Sequence, residues 1–151
     1  MPITETDLVE LANLLDEGRD AWIHGRLQWE SDNSATFQPD DATIFGPFGG
    51  IAPKVVAPRV QPEVQRTLAA RFGGGTGLTE VVRTIVEGDL VVVVYVDRSS
   101  VRFDGSDDET PWMLRVTEVF RKQPDGWFRL HRHADPLVRY RDLDATRKLL
   151  D

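Results

Sequence analysis

The chain has 151 residues, 40% of them hydrophobic and 28% charged, with a formal net charge of −7 and no cysteine. That length suits one folded domain around one core, and the composition is globular rather than disordered. The acidic balance argues against nucleic acid and anionic membrane surfaces as partners, since both reward clustered lysine and arginine, and the lack of cysteine removes disulfides and thiolate chemistry.

The leading segment "MPITETDLVE" lacks a basic region followed by an apolar one, so it does not read as an export signal. Residues 4 to 24 read as a helix, with Leu8, Leu11, Leu15 and Trp22 on one stripe. Thr4 or Thr6 can cap its start, Asp7 and Glu10 suit the positive end of its dipole, and Gly25 suits its end. His24 sits where the dipole favours a cation and reads as structural. Residues 26 to 35 read as a second short helix, and "ATFQPDDATIFGPFGG" as turns and a strand, with Asp40 and Asp41 at a solvated turn.

Pro62 opens "PEVQRTLAARF", a helix in which Val64, Leu68 and Phe72 recur four apart. The glycines of "GGGTG", residues 73 to 77, lack the lysine and flanking elements of a phosphate loop and predict a flexible connector. Two hairpins follow. "TEVVRTIVE" and "LVVVVYVDR" flank Gly88-Asp89, and "WMLRVTEVFRK" and "WFRLHRH" flank "QPDG". The polar stretch "SSVRFDGSDDETP" joins them as a loop. The run "LVVVVYV" is too short to cross a bilayer as a helix, so a soluble cytoplasmic protein is expected. Helices first and a meander afterwards predict an α+β class, with N-terminal helices packed on a mainly antiparallel sheet. No repeat or interdomain linker is legible, so residues 1–151 are expected to form a single domain.

Period-two alternation sorts the strand residues by face. Val91, Val93, Tyr95 and Asp97 share one face, and Val92, Val94, Val96 and Arg98 the other. Both faces are apolar, which predicts a homodimer through the outer one, with Val119 joining the three valines. On the next strand Leu114, Val116, Glu118 and Phe120 share the apolar side, so Glu118 needs a partner there. Strict alternation then puts Phe128, Leu130 and Arg132 on one side of the last strand and Trp127, Arg129, His131 and His133 on the other. Arg132 is thus the expected cross-strand partner of Glu118.

The segment "RVTEVFRKQPDGWFRLHRHADPL" and, more weakly, "ATIFGPFGG" resemble the SnoaL-like branch of the nuclear transport factor two-like superfamily. The Thr-x-Val-aromatic strand, Gly-Trp turn and His-x-His ending are similar to the association domain of calcium/calmodulin-dependent kinases. The resemblance implies a cone-shaped fold, with helices on a strongly curved sheet and a small-molecule pocket between them. The superfamily includes isomerases, cyclases, epoxide hydrolases, dehydratases and non-catalytic binding or assembly domains. The association domain's pocket arginines fall on Asp97 and Glu118 here, a reversal of charge at both positions. The steroid isomerase branch uses acids and a tyrosine in that cavity, and this chain offers Asp97, Glu118 and Tyr95.

Two readings of function follow. One is a cofactor-free lyase, isomerase, cyclase or hydrolase acting on a hydrophobic metabolite, with Glu118, Asp97 or His133 moving the proton. Arg132 or a histidine would then stabilise developing charge and Tyr95 would orient the ligand, with His131, Trp22, Phe48 and Trp112 as further pocket candidates; most of the aromatics Trp22, Trp29, Phe48, Tyr95 and Trp112 read as core filling, with one or two lining the cavity. The other is a non-catalytic ligand-binding or assembly domain, in which Glu118 and Arg132 are only a structural pair. His131, His133 and Asp135 have the spacing of a strand-borne metal site, but the resembling family is generally metal-free, so no metal is expected.

Overall fold

The computed structural model describes residues 2–26, 29, 42–48 and 62–150. Helix α1 spans Glu5–Ile23. Thr4, not Thr6, caps it: its hydroxyl accepts from the Asp7 N–H while the Asp7 carboxylate accepts from the Thr4 N–H at 2.8 Å, a capping box. At the other end Gly25 takes φ +67, and Arg26 N–H reaches back to the Ala21 carbonyl at 2.8 Å, closing a Schellman turn. Only glycine fits there, because a Cβ at Gly25 would lie 2.7 Å from the Ala69 carbonyl oxygen. His24 is structural as expected, its Nδ1 lying 2.8 Å from the Asp20 carbonyl. The proposed second helix lies mostly outside the described residues, as do Asp40 and Asp41.

Strand β1 (Thr43–Phe45) and helix α2 (Pro62–Ala69) precede a meander of β2 (Phe72–Glu87), β3 (Leu90–Phe103), β4 (Glu109–Gln123) and β5 (Gly126–Pro136). The sheet order is β1-β5-β4-β3-β2, with β1 parallel to β5 and the other pairs antiparallel. A short helix α3 (Leu143–Arg147) and a 3₁₀ turn (Lys148–Leu150) close the chain. Among the described residues no helix is long and apolar enough to cross a membrane.

Two sequence expectations are corrected. "GGGTG" is not a connector but the first part of β2, paired Gly75 to Val101 and Gly77 to Ser99. A Cβ at Gly75 would overlap the Ser100 carbonyl oxygen, so the glycines serve close approach of two backbones rather than flexibility. Gly75→Ala is expected to cost about 1–3 kcal/mol, read as a lower urea midpoint at unchanged slope. Likewise "SSVRFDGSDDETP" is mostly strand. β3 continues through buried Val101 to Phe103, and an Arg102–Glu109 ion pair of 3.0 Å crosses to β4.

The inward sheet face carries the core. Leu11 and Leu15 of α1 pack with Val91, Val93, Tyr95, Leu114, Val116, Phe120 and Trp127. Lys122 fastens the first turn of α1 to this layer, with its ammonium 3.4 Å from Glu10 and 5.4 Å from the centre of the Trp127 ring. The outer face presents half-buried Val92, Val94, Val96 and Val119, the second apolar surface that alternation predicts. Strand β2 forms one edge of the sheet, and a register shift between Val81 and Arg83 interrupts its pairing to β3.

Candidate functional site

The site is a polar diagonal across an otherwise apolar inward face. Tyr95 and Asp97 lie two apart on β3, Glu118 faces Val93 across β3 and β4, and Arg132 faces Glu118 across β4 and β5. The Tyr95 hydroxyl donates to Glu118 Oε2 at 2.7 Å, and Arg132 Nε lies 3.3 Å from Glu118 Oε1. The expected Glu118–Arg132 pair is therefore present.

Arg129 was placed outward by strict alternation, and that expectation is overturned. A register shift between Val119 and Phe120 makes Leu130 an extra residue, with Val119 opposite His131 and Phe120 opposite Arg129. The bulge turns Trp127 and Arg129 inward while leaving Arg132 inward as well. Trp127 is buried, and Arg129 Nε sits 2.8 Å from Glu118 Oε1. Two guanidinium groups and a phenol thus converge on a carboxylate with no exposed surface. Burial, then the Glu118 charge, pushes the Tyr95 phenol well above its ordinary value, so it remains a donor. Burial alone would lower the Arg132 pKa, but Tyr95, Glu118 and Asp97 outweigh it and raise it, so Arg132 is a permanent cation.

Asp97 stands apart from this clasp. It is 7% exposed, and among the described residues no cation comes within ion-pair distance of it. Among the described residues its carboxylate has one hydrogen bond, a long one of 3.4 Å from the Thr79 hydroxyl. Arg19 of α1 holds that hydroxyl in turn, donating to it at 3.1 Å and to Asp16 at 2.9 Å. Burial, reinforced by Glu118 and opposed by Arg132 and Arg19, pushes the Asp97 carboxyl up to about 6. Beside it, the buried Ser99 Oγ and Arg19 Nε have no hydrogen-bond partner among the described residues. Both border Gly77, where a Cβ would lie 3.0 Å from Arg19 Nε. Arg19, Thr79 and Ser99 escaped the sequence reading, although continuing the alternation of β3 past Asp97 leads directly to Ser99.

Aromatic rings wall one end of the same face. Trp22 and Trp112 each lie 5.5 Å from Phe72, and Phe48 stacks on Trp112 at 6.2 Å. Trp112 faces Ser99 in the register, so the rings continue the row of Tyr95, Asp97 and Ser99. Trp29 packs against the main core. The histidines are elsewhere. His131 pairs with Thr43 of β1, its Nδ1 2.7 Å from the Thr43 hydroxyl, and the Phe45 ring lies edge-on to both His131 and His133. His133 Nε2 is 3.3 Å from Asp135, which also takes Arg115 at 3.2 Å. These groups occupy the outer side of β5, opposite Arg132. Among the described residues no three His, Cys, Asp or Glu side chains gather closely enough to hold a metal ion.

No family model matches the sequence, and no curated protein matches it by sequence. Solved structures do match. The CaMKII hub of S. rosetta superposes with a TM-score of 0.64 at 18% identity, covering 90% of this chain and 99% of that one. A candidate ketosteroid isomerase from Shewanella frigidimarina gives 0.60 at 18% identity over 82% and 92% of the two chains. A candidate dehydratase of the NTF2-like family from Streptomyces avermitilis gives 0.55 at 19% over 86% and 94%. The helix, the mixed sheet and these superpositions together establish that the chain has the nuclear transport factor two-like α+β fold, in the form that kinase association domains also adopt.

Proposed function

We propose that the inward face of the sheet receives a hydrophobic small molecule and that Asp97 transfers a proton to or from it without a cofactor. The observation that carries this reading is the contrast between two buried carboxylates on one face. Glu118 accepts from Tyr95 and lies in ion-pair contact with both Arg129 and Arg132, whereas Asp97, among the described residues, has one long hydrogen bond, no ion-pair partner and a pKa near 6. A base with that pKa is half ionised close to neutrality, where proton transfer in both directions is effective. Arg132 is the cation closest in kind to an electrostatic stabiliser of an enolate, with the clasp of Glu118 holding its orientation. Ser99 Oγ and Arg19 Nε supply polar contacts beside Asp97, and Trp22, Phe48 and Trp112 supply the apolar wall. This assigns proton transfer to Asp97 rather than to Glu118 or His133, and suits an isomerase, lyase or cyclase.

The test is deuterium exchange at the carbon next to the carbonyl of 2-tetralone, followed by NMR. Wild type is expected to accelerate exchange with a rate that rises through about pH 6, because the ionised carboxylate is the base. Asp97→Asn should lose about 10²-fold or more of that rate. Equal rates for the two proteins would overturn the assignment.

A second reading, a ligand-binding or assembly domain without chemistry, draws support from the ion pairing of Glu118 and from the hub domains among the structural neighbours. Under either reading we propose a homodimer through the outer sheet face, where Val92, Val94, Val96 and Val119 form an apolar surface that a monomer leaves to water.

A further inference from the structure

We propose that the C-terminal arm, residues 138–150, docks in trans on the outer sheet face of a second copy. The inference rests on the outer-face pairing above and adds to it the element that completes the interface. The arm leaves β5 and carries its apolar side chains into solvent. Tyr140 is 98% exposed, Leu143 73% and Leu150 82%, and Val138 and Leu149 are exposed as well. From Val138 to Leu150 only Ala145 is even half-buried. Yet the arm is ordered into helix α3 and a 3₁₀ turn, capped by the Asp142 carboxylate accepting from the Ala145 N–H at 2.8 Å. A helix shorter than about 12 residues is marginal in water without packing on another surface. The described residues of its own chain supply almost none.

The outer face offers that surface. A groove of about 390 Å³ is lined by Val82, Val94, Val96 and Leu137, with polar Arg115, Thr117, His133 and Asp135 also in its wall. Leu137 both lines this groove and begins the arm. When two outer faces meet about a two-fold axis, each arm therefore starts at the interface and runs onto its neighbour, giving the reciprocal contacts of an isologous dimer. The charges at the groove, Arg115 and Asp135, are paired with each other at 3.2 Å, so apolar side chains carry the contact with the arm.

The natural absence of cysteine makes the test clean. A protein carrying Leu143→Cys is mixed with a differently tagged one carrying Val82→Cys and oxidised. In parallel, sedimentation velocity compares the full chain, a chain ending at Leu137, and the full-length double variant Tyr140→Asp with Leu143→Asp. The expected result is a disulfide between the two differently tagged chains, and a dimer dissociation constant raised at least tenfold by both the truncation and the double variant. Dimers of unchanged affinity in both variants, with no inter-chain disulfide, would overturn the arm while leaving outer-face pairing intact. If a chain carrying both substitutions, oxidised on its own, closes its disulfide only within itself, docking in trans is overturned. A monomeric full-length chain would remove the outer-face dimer itself, and the arm's role with it.

Discussion

Asp97→Asn is expected to stabilise the folded protein at pH 8 by about 2–3 kcal/mol and to change it little at pH 4. The reasoning is one of proton linkage. In the unfolded chain the carboxyl titrates near 3.8, whereas in the folded protein it titrates near 6. Between those values the folded state holds the proton more tightly, so wild-type stability falls as pH rises from about 4 to 6 and levels off above. The side chain is only 7% exposed, and a shift of that size corresponds to about 3 kcal/mol. Asparagine keeps the shape and can accept the Thr79 hydrogen bond, but it never charges. Urea unfolding of both proteins at the two pH values measures the effect. An equal difference at both would mean that Asp97 is not held neutral by the fold. The same substitution is the one expected to slow proton transfer by about 10²-fold or more, so stability gained and activity lost at one residue would mark a site kept for function at the expense of the fold.

Glu118→Gln is expected to destabilise by about 3–5 kcal/mol, because it leaves Arg129 and Arg132 buried against a neutral amide. Removing Arg132 along with the carboxylate, as in Glu118→Leu with Arg132→Leu, should recover only part of the loss, because Arg129 still loses its 2.8 Å contact with Glu118 Oε1. The triple change that adds Arg129→Met should recover most of the loss, since apolar replacement of a whole buried ionic cluster is often close to neutral. Unfolding free energies of the single, double and triple variants give the coupling between the two arginines. Full recovery in the double variant would show that Arg129 does not depend on Glu118.

The order of elements, the two hairpins, the inward row of β3 and β4 and the Glu118–Arg132 pair were all legible, because each rests on local periodicity or on a turn of known chemistry. What was not legible has physical causes. Alternation is blind to an inserted residue, so the bulge at Leu130 hid the inward turn of Trp127 and Arg129 while leaving Arg132 where it was expected. Glycine composition reports conformational freedom but not the neighbour that exploits it. The glycines of β2 therefore read as a connector until Ser99–Val101 appeared opposite them. Arg19 reaches Thr79 across 60 positions of sequence, a contact that only the packing of α1 on the sheet creates.

The edge position of β2 has a consequence for solubility. An edge strand offers a free row of backbone donors and acceptors onto which another chain can add, and this one exposes Leu78, Val81, Val82, Ile85 and Val86. Such a strand, if flat and regular, is a template for fibrils. Here the extra residue at Val82 breaks the rhythm in mid-strand, and Glu80, Arg83 and Glu87 set charge among the apolar side chains. The interruption makes β2 a poorer template for a further strand than a flat, regular edge would be.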